Sequence, residues 1–567
     1  MKNIIRTVAI LGLGLGLCGC SESFLDVSSK TESTTDNYFK KQSHIERALI
    51  GCYDGWQCTV SYGPTYCFQY LSELLSDECF GGTGNADGRG TQVVDRFDIN
   101  QSPSDLNLHN SLWTYYYQAI YRCNELLSHE DDEIEWEDES MKAQYFGEAK
   151  AIRAILYFDL ARLFERVPLL TVPSTENIPQ SEPAEIYAQI VSDLKAAAAD
   201  IPASAYPKSD AANNDGRITR YAAEALLARV YLFYNGYYGA EPGDLTKSQA
   251  LSYLEDVISS GEFSLVPVFK NLWPASSDNW VQDASGNWTN ESTYAGDGNS
   301  ETILAMKFNY TSDYNGNSGG NNAIQMFGIR GGTFKAPYGQ GWGGATIPSK
   351  IYASMNISGD QRCSASIVNL AGEGIASMDA YVTALPDQRE YTGYTVKKYT
   401  PRSAYFLENG EWVLGHYYKD VQGGDFQISQ PQNYVVMRYA DVLLMAAELG
   451  SSNAQTYFNQ VRERAYTEDD GNLSGYYTVK SATQANIMEE RRLELAFEGI
   501  RYWDLMRQGV STLASAIVAS GESTLSGGSE DVVSYDASNI TSKRGFQQIP
   551  QTQIQLSGDV LTQNAGW

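Results

Sequence analysis

The stretch Glu148–Glu165, EAKAIRAILYFDLARLFE, decides the fold class. Ala149, Ile152, Leu156, Leu160 and Leu163 recur three or four residues apart, which predicts an amphipathic helix, with Pro168 as its stop. Thr219–Tyr234, TRYAAEALLARVYLFY, repeats the pattern, with Thr219 as N-cap and Gly236 as terminator. Ile186–Ala199, Ser248–Ser259, Val435–Leu449, Ala454–Ala465 and Ala482–Arg507 also read as helices. Small residues alternate with large aromatics, as where helix pairs stack closely. That habit is tetratricopeptide-like, although no self-repeat of about 34 residues is evident. The expected fold is mostly α: a tetratricopeptide-like scaffold of helix pairs carrying a loop-rich half.

The 567 residues allow three to four domains at about 150 residues each, or one large α-rich body. With 43% hydrophobic and 19% charged residues, the chain has a core-forming composition. The formal charge of −28 argues against nucleic acid as a partner and against electrostatic docking on an anionic membrane. Tyrosine is abundant, at 39 residues, and its rigid amphipathic ring suits recognition surfaces as well as cores.

The N-terminus is a targeting segment. Lys2 and Arg6 precede the apolar run Thr7–Leu17, too short to span a bilayer, so residues 1–19 read as a signal peptide. Leu17-Cys18-Gly19-Cys20 looks like a lipobox, with Cys20 the lipidated first mature residue. Cleavage removes two basic residues and takes the charge from −28 to −30. Residues 20–37 form a polar tether, in which Phe24 and Leu25 are expected to dock. Six cysteines remain (Cys52, Cys58, Cys67, Cys79, Cys123, Cys363), an even number that permits disulfides outside the cytoplasm. Cys52 and Cys58 lack the partners a zinc site needs, and the acidic run Glu130–Glu139 lacks the alternation of a calcium loop.

Between Leu272 and Ala345 the character changes. Ten of the 35 residues from Thr311 to Ala345 are Gly, and four of the ten Trp (Trp273, Trp280, Trp288, Trp342) lie in this span. These are long loops of the kind that carry function. Catalytic motifs fail on context. Gly339-x-Gly341-x-x-Gly344 has no βαβ unit around it, and Gly316-x-Ser318-x-Gly320 has no hydrophobic strand leading in. The four His (His44, His109, His129, His416) show no metal-ligand spacing. The reading calls for no catalytic residue, cofactor or metal.

Several segments in a fixed order resemble the SusD/RagB family of surface lipoproteins of Bacteroidetes. They are Gly147-Glu148-Ala149-Lys150 with Tyr157-Phe158-Asp159-Leu160, Val167-Pro168-Leu169, Gly216-Arg217-x-Thr219, Asp360-x-Arg362, and Arg438-Tyr439-Ala440-Asp441-Val442-Leu443-Leu444. Val461-Arg462-x-Arg464-Ala465 follows, then Glu490-Arg491-Arg492-x-Glu494-Leu495-x-Phe497-Glu498-Gly499-x-Arg501-Tyr502-x-Asp504-Leu505, and finally Ile549-Pro550. Glu165-Arg166 stands where the family often has Gly-Asp, and Gln553 where an acid is common. The charged residues of these motifs are expected to form ion-pair networks that fix helix packing, not a catalytic centre.

The resemblance implies about four helix pairs supporting a loop-rich half. It implies a SusD-like N-terminal helical region at 38–260 and a RagB/SusD C-terminal region at 270–567, with the Trp- and Gly-rich loops at 272–345. It also implies a non-catalytic lipoprotein of the outer membrane, facing the cell exterior, that binds a glycan and acts as a lid on a SusC-like TonB-dependent transporter. Sugar C–H faces stack on aromatic rings, which selects Trp280, Trp288, Tyr338 and Trp342; Asp77, Arg89 and Asp95, around the Gly-rich loop Gly81–Gly90, are polar candidates. The alternative is a peptide-capturing lid of the same architecture, and a third possibility is a glycosidase built on paired carboxylates.

Overall fold

The computed structural model describes residues 38–61, 65–98, 102–214, 216–309, 319–331, 335–375, 387–417, 427 and 430–567. The signal peptide, Cys20, the tether with Phe24 and Leu25, and the Gly316-x-Ser318 start of the apparent elbow lie outside them.

The helix read from residues 148–165 is longer than the spacing predicts: α5 runs Met141–Phe164, and its residues from Gln144 onward are buried on nearly every face. It is the central helix of the scaffold, so a single apolar stripe understates it. It ends before Pro168, at Glu165, whose backbone adopts φ 62°. Glycine tolerates that conformation best, and here Glu165 takes it while pairing with Arg544 at 2.6 Å.

Eight helices form four pairs: α1 (Gln42–Cys58) with α4 (Asn110–Leu127), α5 with α6 (Pro183–Asp200), α7 (Arg220–Tyr238) with α8 (Lys247–Ser259), and α9 (Tyr439–Glu448) with α10 (Ala454–Ala465). Each pair packs on the next through α4 on α5, α6 on α7 and α8 on α9, the nearest-neighbour stacking of a solenoid. The short helices α2 (Phe68–Leu74) and α3 (Gly90–Asp95) fill the connection inside the first pair, and α11 (Gln484–Glu494) packs on α9.

Local chemistry sets the helix starts. The Thr219 hydroxyl accepts from the Ala222 amide at 3.1 Å, and Thr246 and Gln249 form a reciprocal capping box at α8. Gly236 does not stop α7. The helix continues to Tyr238 and ends at Gly239, φ 68°. Gly236 is instead a packing glycine, because a Cβ there would lie 2.6 Å from the Arg507 carbonyl oxygen.

The third and fourth pairs are separated by the loop-rich half, in which only two-stranded sheets form among the described residues. Strands β1 (Trp280–Gln282) and β2 (Trp288–Asn290) make one hairpin, and β4 (Ser403–Glu408) and β5 (Glu411–His416) another. Strand β3 (Thr302–Met306) pairs antiparallel with β6 (Tyr434–Arg438), which returns the chain directly into α9. Cys52, Cys67, Cys79, Cys123 and Cys363 are buried free thiols. No helix among the described residues is long and apolar enough to cross a membrane.

The motif residues converge at this return point. Arg438 donates to Glu301, Glu494 and Glu498; Arg464 joins Glu301 and Glu494; Arg362 joins Asp360 and Glu490. Arg491 bridges Asp441 and Asp504, and Arg501 grips Asp77. The expected networks are therefore present and buried, tying α9, α10 and α11 to the loop half.

Burial also sets the response to pH. It raises the carboxyls of Glu78, Asp95 and Glu224 to about 7 and that of Glu390 to about 8. Burial opposes ionisation of Glu494 too, but Arg464, Arg438 and Arg362 outweigh it and hold that carboxyl down at about 2. The raised groups keep protons in the folded chain that the unfolded chain has already lost. Their contribution is full at acidic pH and is lost as pH climbs through 7–8, whereas that of Glu494 is lost only as pH falls toward 2. The melting temperature is expected to fall by at least about 5 °C between pH 5 and pH 8. A flat or rising profile in differential scanning calorimetry would contradict the burial assignments.

Candidate ligand-binding cleft

A cleft of about 640 Å³ lies within the size range of small-ligand sites. Three segments wall it: the Gly-rich loop after α2 (Thr83, Asp87, Gly88, Arg89, Gly90, Thr91), the turn before α4 (Ser102, Ser104, Asp105, Leu108), and the loop-rich half (Met326, Arg330, Trp342). Thr65 and Tyr66 complete it.

The glycines explain how the walls meet. A Cβ on Gly82 would overlap the Gly343 carbonyl oxygen, one on Gly84 the Arg330 guanidinium, and one on Gly90 the Tyr66 hydroxyl. The lack of a side chain at Gly82 lets it approach the Gly343 backbone, and at Gly84 and Gly90 it leaves room for Arg330 and Tyr66. Trp342 is set by its main chain: its amide donates to the Gln325 carbonyl at 2.7 Å, and the next two amides donate to Gly328 and Met326.

The indole of Trp342 is partly buried and packs against the hydrophobic core, but it has no aromatic partner and makes no side-chain hydrogen bond among the described residues. Tyr66 is stacked on Tyr70 at 6.2 Å, and burial, reinforced by Asp105, raises its phenol well above the usual range. Arg330 is neutralised by Asp387 at 2.7 Å and Asp87 at 3.2 Å. Arg89 is exposed and has no ion-pair partner among the described residues. The cleft thus combines a partly buried indole, balanced charges and the hydroxyls of Ser102, Ser104, Thr83 and Thr91.

Residues 267–567 match the model of the SusD family, and residues 23–232 match a second model described as starch-binding associating with outer membrane. The chain belongs to the SusD family. SusD-like protein P38 of Formosa agariphila is 26% identical over 541 residues, 89% of this chain and 91% of that one. A solved laminarin binding SusD-like protein is 27% identical, with a TM-score of 0.68 over 93% of this chain and 100% of that one. Surface glycan-binding protein A from Bacteroides fluxus, 23% identical with a TM-score of 0.69 over 93% of this chain and 100% of that one, shares the fold.

Within this SusD-family chain, Arg89 and Trp342 are the sequence-selected residues that line the cleft. The other five lie elsewhere. Trp288 stacks on Tyr405 at 3.8 Å, and Trp280 meets the same ring edge-on, so the two hairpins pack on each other. Tyr338 is buried under Lys397. Asp77 accepts from Nε and Nη2 of the Arg501 guanidinium, each at 2.8 Å. Asp95 supports the cleft from behind, accepting from the Gly81 amide at 3.1 Å and the Tyr535 hydroxyl at 2.8 Å. Sequence reasoning missed Tyr66, Asp87, Asp105 and Arg330. Asp87 and Arg330 carried a signal, their places inside the Gly-rich loop 81–90 and the loops at 272–345.

Among the described residues, no group of three or more His, Cys, Asp or Glu is disposed to hold a metal ion.

Proposed function

We propose that this protein is a non-catalytic surface lipoprotein that captures oligosaccharide or polysaccharide in the cleft and delivers it to a SusC-like TonB-dependent transporter of the outer membrane. The observation that carries the reading is Trp342: a partly buried indole at the cleft wall with no ring or side-chain hydrogen-bond partner among the described residues, set in a cleft of matched charge. A sugar ring offers an apolar C–H face to such a platform while its hydroxyls reach Arg89, Asp87 and Ser104. The named ligand of the laminarin binding relative supports the same class. Screening the mature protein against immobilised polysaccharides and peptides tests the reading. Retention on a polysaccharide is expected, and retention on peptides alone would overturn it.

The lipobox supports anchoring through Cys20. Acyl chains contribute about 0.8 kcal/mol per buried CH₂, so several chains hold firmly. Cys20→Ala is expected to move the protein from the membrane to the soluble fraction, and undiminished membrane retention would contradict the anchor.

A further inference from the structure

We propose that Arg389, assisted by Gln388, is a positioning residue that locks the Gly-rich wall of the cleft in its binding shape without touching the ligand. The proposal rests on the cleft being the ligand site.

Arg389 is 8% exposed and forms no ion pair among the described residues. Its guanidinium is satisfied instead by the loop's main chain: Nη2 donates to the carbonyls of Asn85 at 2.6 Å and Asp87 at 2.8 Å, and Nη1 to that of Gly88 at 3.1 Å. Its amide donates to the Thr83 carbonyl at 2.8 Å. Gln388 Nε2 reaches the Gly343 carbonyl at 3.0 Å, joining the opposite wall to the clamp. Asp387 accepts from the Asn85 amide at 2.9 Å.

Two features make this a lock. A buried cation is costly unless hydrogen-bonded, so the loop cannot leave without orphaning Arg389. Thr83, a cleft-lining β-branched residue, sits at φ 87°, a conformation such residues almost never adopt unless their surroundings enforce it. The bonds that enforce it come from Gly343, Gln388 and Arg389. The clamp holds the backbone on both sides of Asp87 and just before Arg89, and so fixes where these two side chains stand in the cleft.

The test is hydrogen–deuterium exchange on the parent, Arg389→Met and Arg389→Lys, with laminarin calorimetry on the same proteins and on Trp342→Ala. In Arg389→Met the amides of residues 81–90 are expected to exchange at least tenfold faster while those of α5 stay unchanged. Arg389→Lys, with a charge but no fork, should be intermediate. Loop exchange equal to the parent's overturns the proposal. If Arg389→Met unfolds, α5 exchange rises as well, and Arg389→Lys then carries the comparison. With a parent that binds laminarin, Arg389→Met is expected to bind at least tenfold more weakly, and equal affinity overturns the positioning role. With a parent that gives no heat, the exchange result decides. Should Trp342→Ala bind like the parent, the cleft reading fails while the loop exchange still judges the clamp.

Discussion

Trp342→Ala is expected to lower glycan affinity ten- to a hundredfold while leaving the fold intact. Burying one face of an aromatic ring against a ligand is worth on the order of 1–3 kcal/mol, and each 1.4 kcal/mol is about a factor of ten. The indole is partly buried and packs against the core, but it has no ring contact or side-chain hydrogen bond among the described residues, so its removal breaks no stacking or polar contact within the protein. Trp288→Ala is the informative contrast. Trp288 stacks on Tyr405 at 3.8 Å, so its loss should loosen the two hairpins and leave affinity nearly unchanged. Added salt should also matter little, because stacking and neutral hydrogen bonds are hardly screened. Calorimetry at low and high salt, with circular dichroism as the folding control, reads all three outcomes. Parent-like affinity in Trp342→Ala would move the site elsewhere, and binding that collapses in salt would identify a charged ligand.

The largest effect on stability is expected at Arg438. Its guanidinium, 2% exposed as a residue, meets Glu498 at 2.7 and 2.8 Å, Glu494 at 3.0 Å, and Glu301. Arg438→Met would leave these acids sharing Lys398, Arg464 and Arg362 in a buried interior. Breaking a buried ion pair from one side costs about 3–5 kcal/mol, since the remaining charge is uncompensated. Arg438→Met is accordingly expected to lower the melting temperature by roughly 5–15 °C. Arg492→Ala provides the control. Arg492 pairs with Glu489, whose side chain is 45% exposed, and such pairs contribute at most about 1 kcal/mol. Equal melting temperatures for the two variants would refute the buried-network account.

The scaffold was legible where the apolar period is local. Glu148–Glu165 and Thr219–Tyr234 both announce helices that exist. The repeat behind them was hidden by insertion: residues 59–109 separate α1 from α4, and residues 260–438 separate the third helix pair from the fourth. No fixed period survives such interruptions, although every pair still stacks on its neighbour. Gly236 misled for a related reason. A glycine inside a helix and one beyond its end look alike until the approaching Arg507 backbone is seen.

The cleft was half legible. The density of glycine, tryptophan and polar residues marked loops that wall the cleft, and Arg89 and Trp342 were chosen from them. What separates Trp342 from Trp288 is a tyrosine at position 405, whose approach no local pattern encodes. Asp77 shows the same limit, since its partner Arg501 lies 424 residues away. The charged motifs were easier to interpret, because several arginines and acids within a few helical turns can be buried only by pairing.

The most direct test of the central claim is a crystal structure of the mature protein with the polysaccharide fragment it retains most tightly. Sugar density stacked on the Trp342 indole, between residues 81–90 and 339–344, is the predicted result. Density lying instead on the hairpins of Trp280, Trp288 and Tyr405, with the cleft empty of sugar, would contradict it.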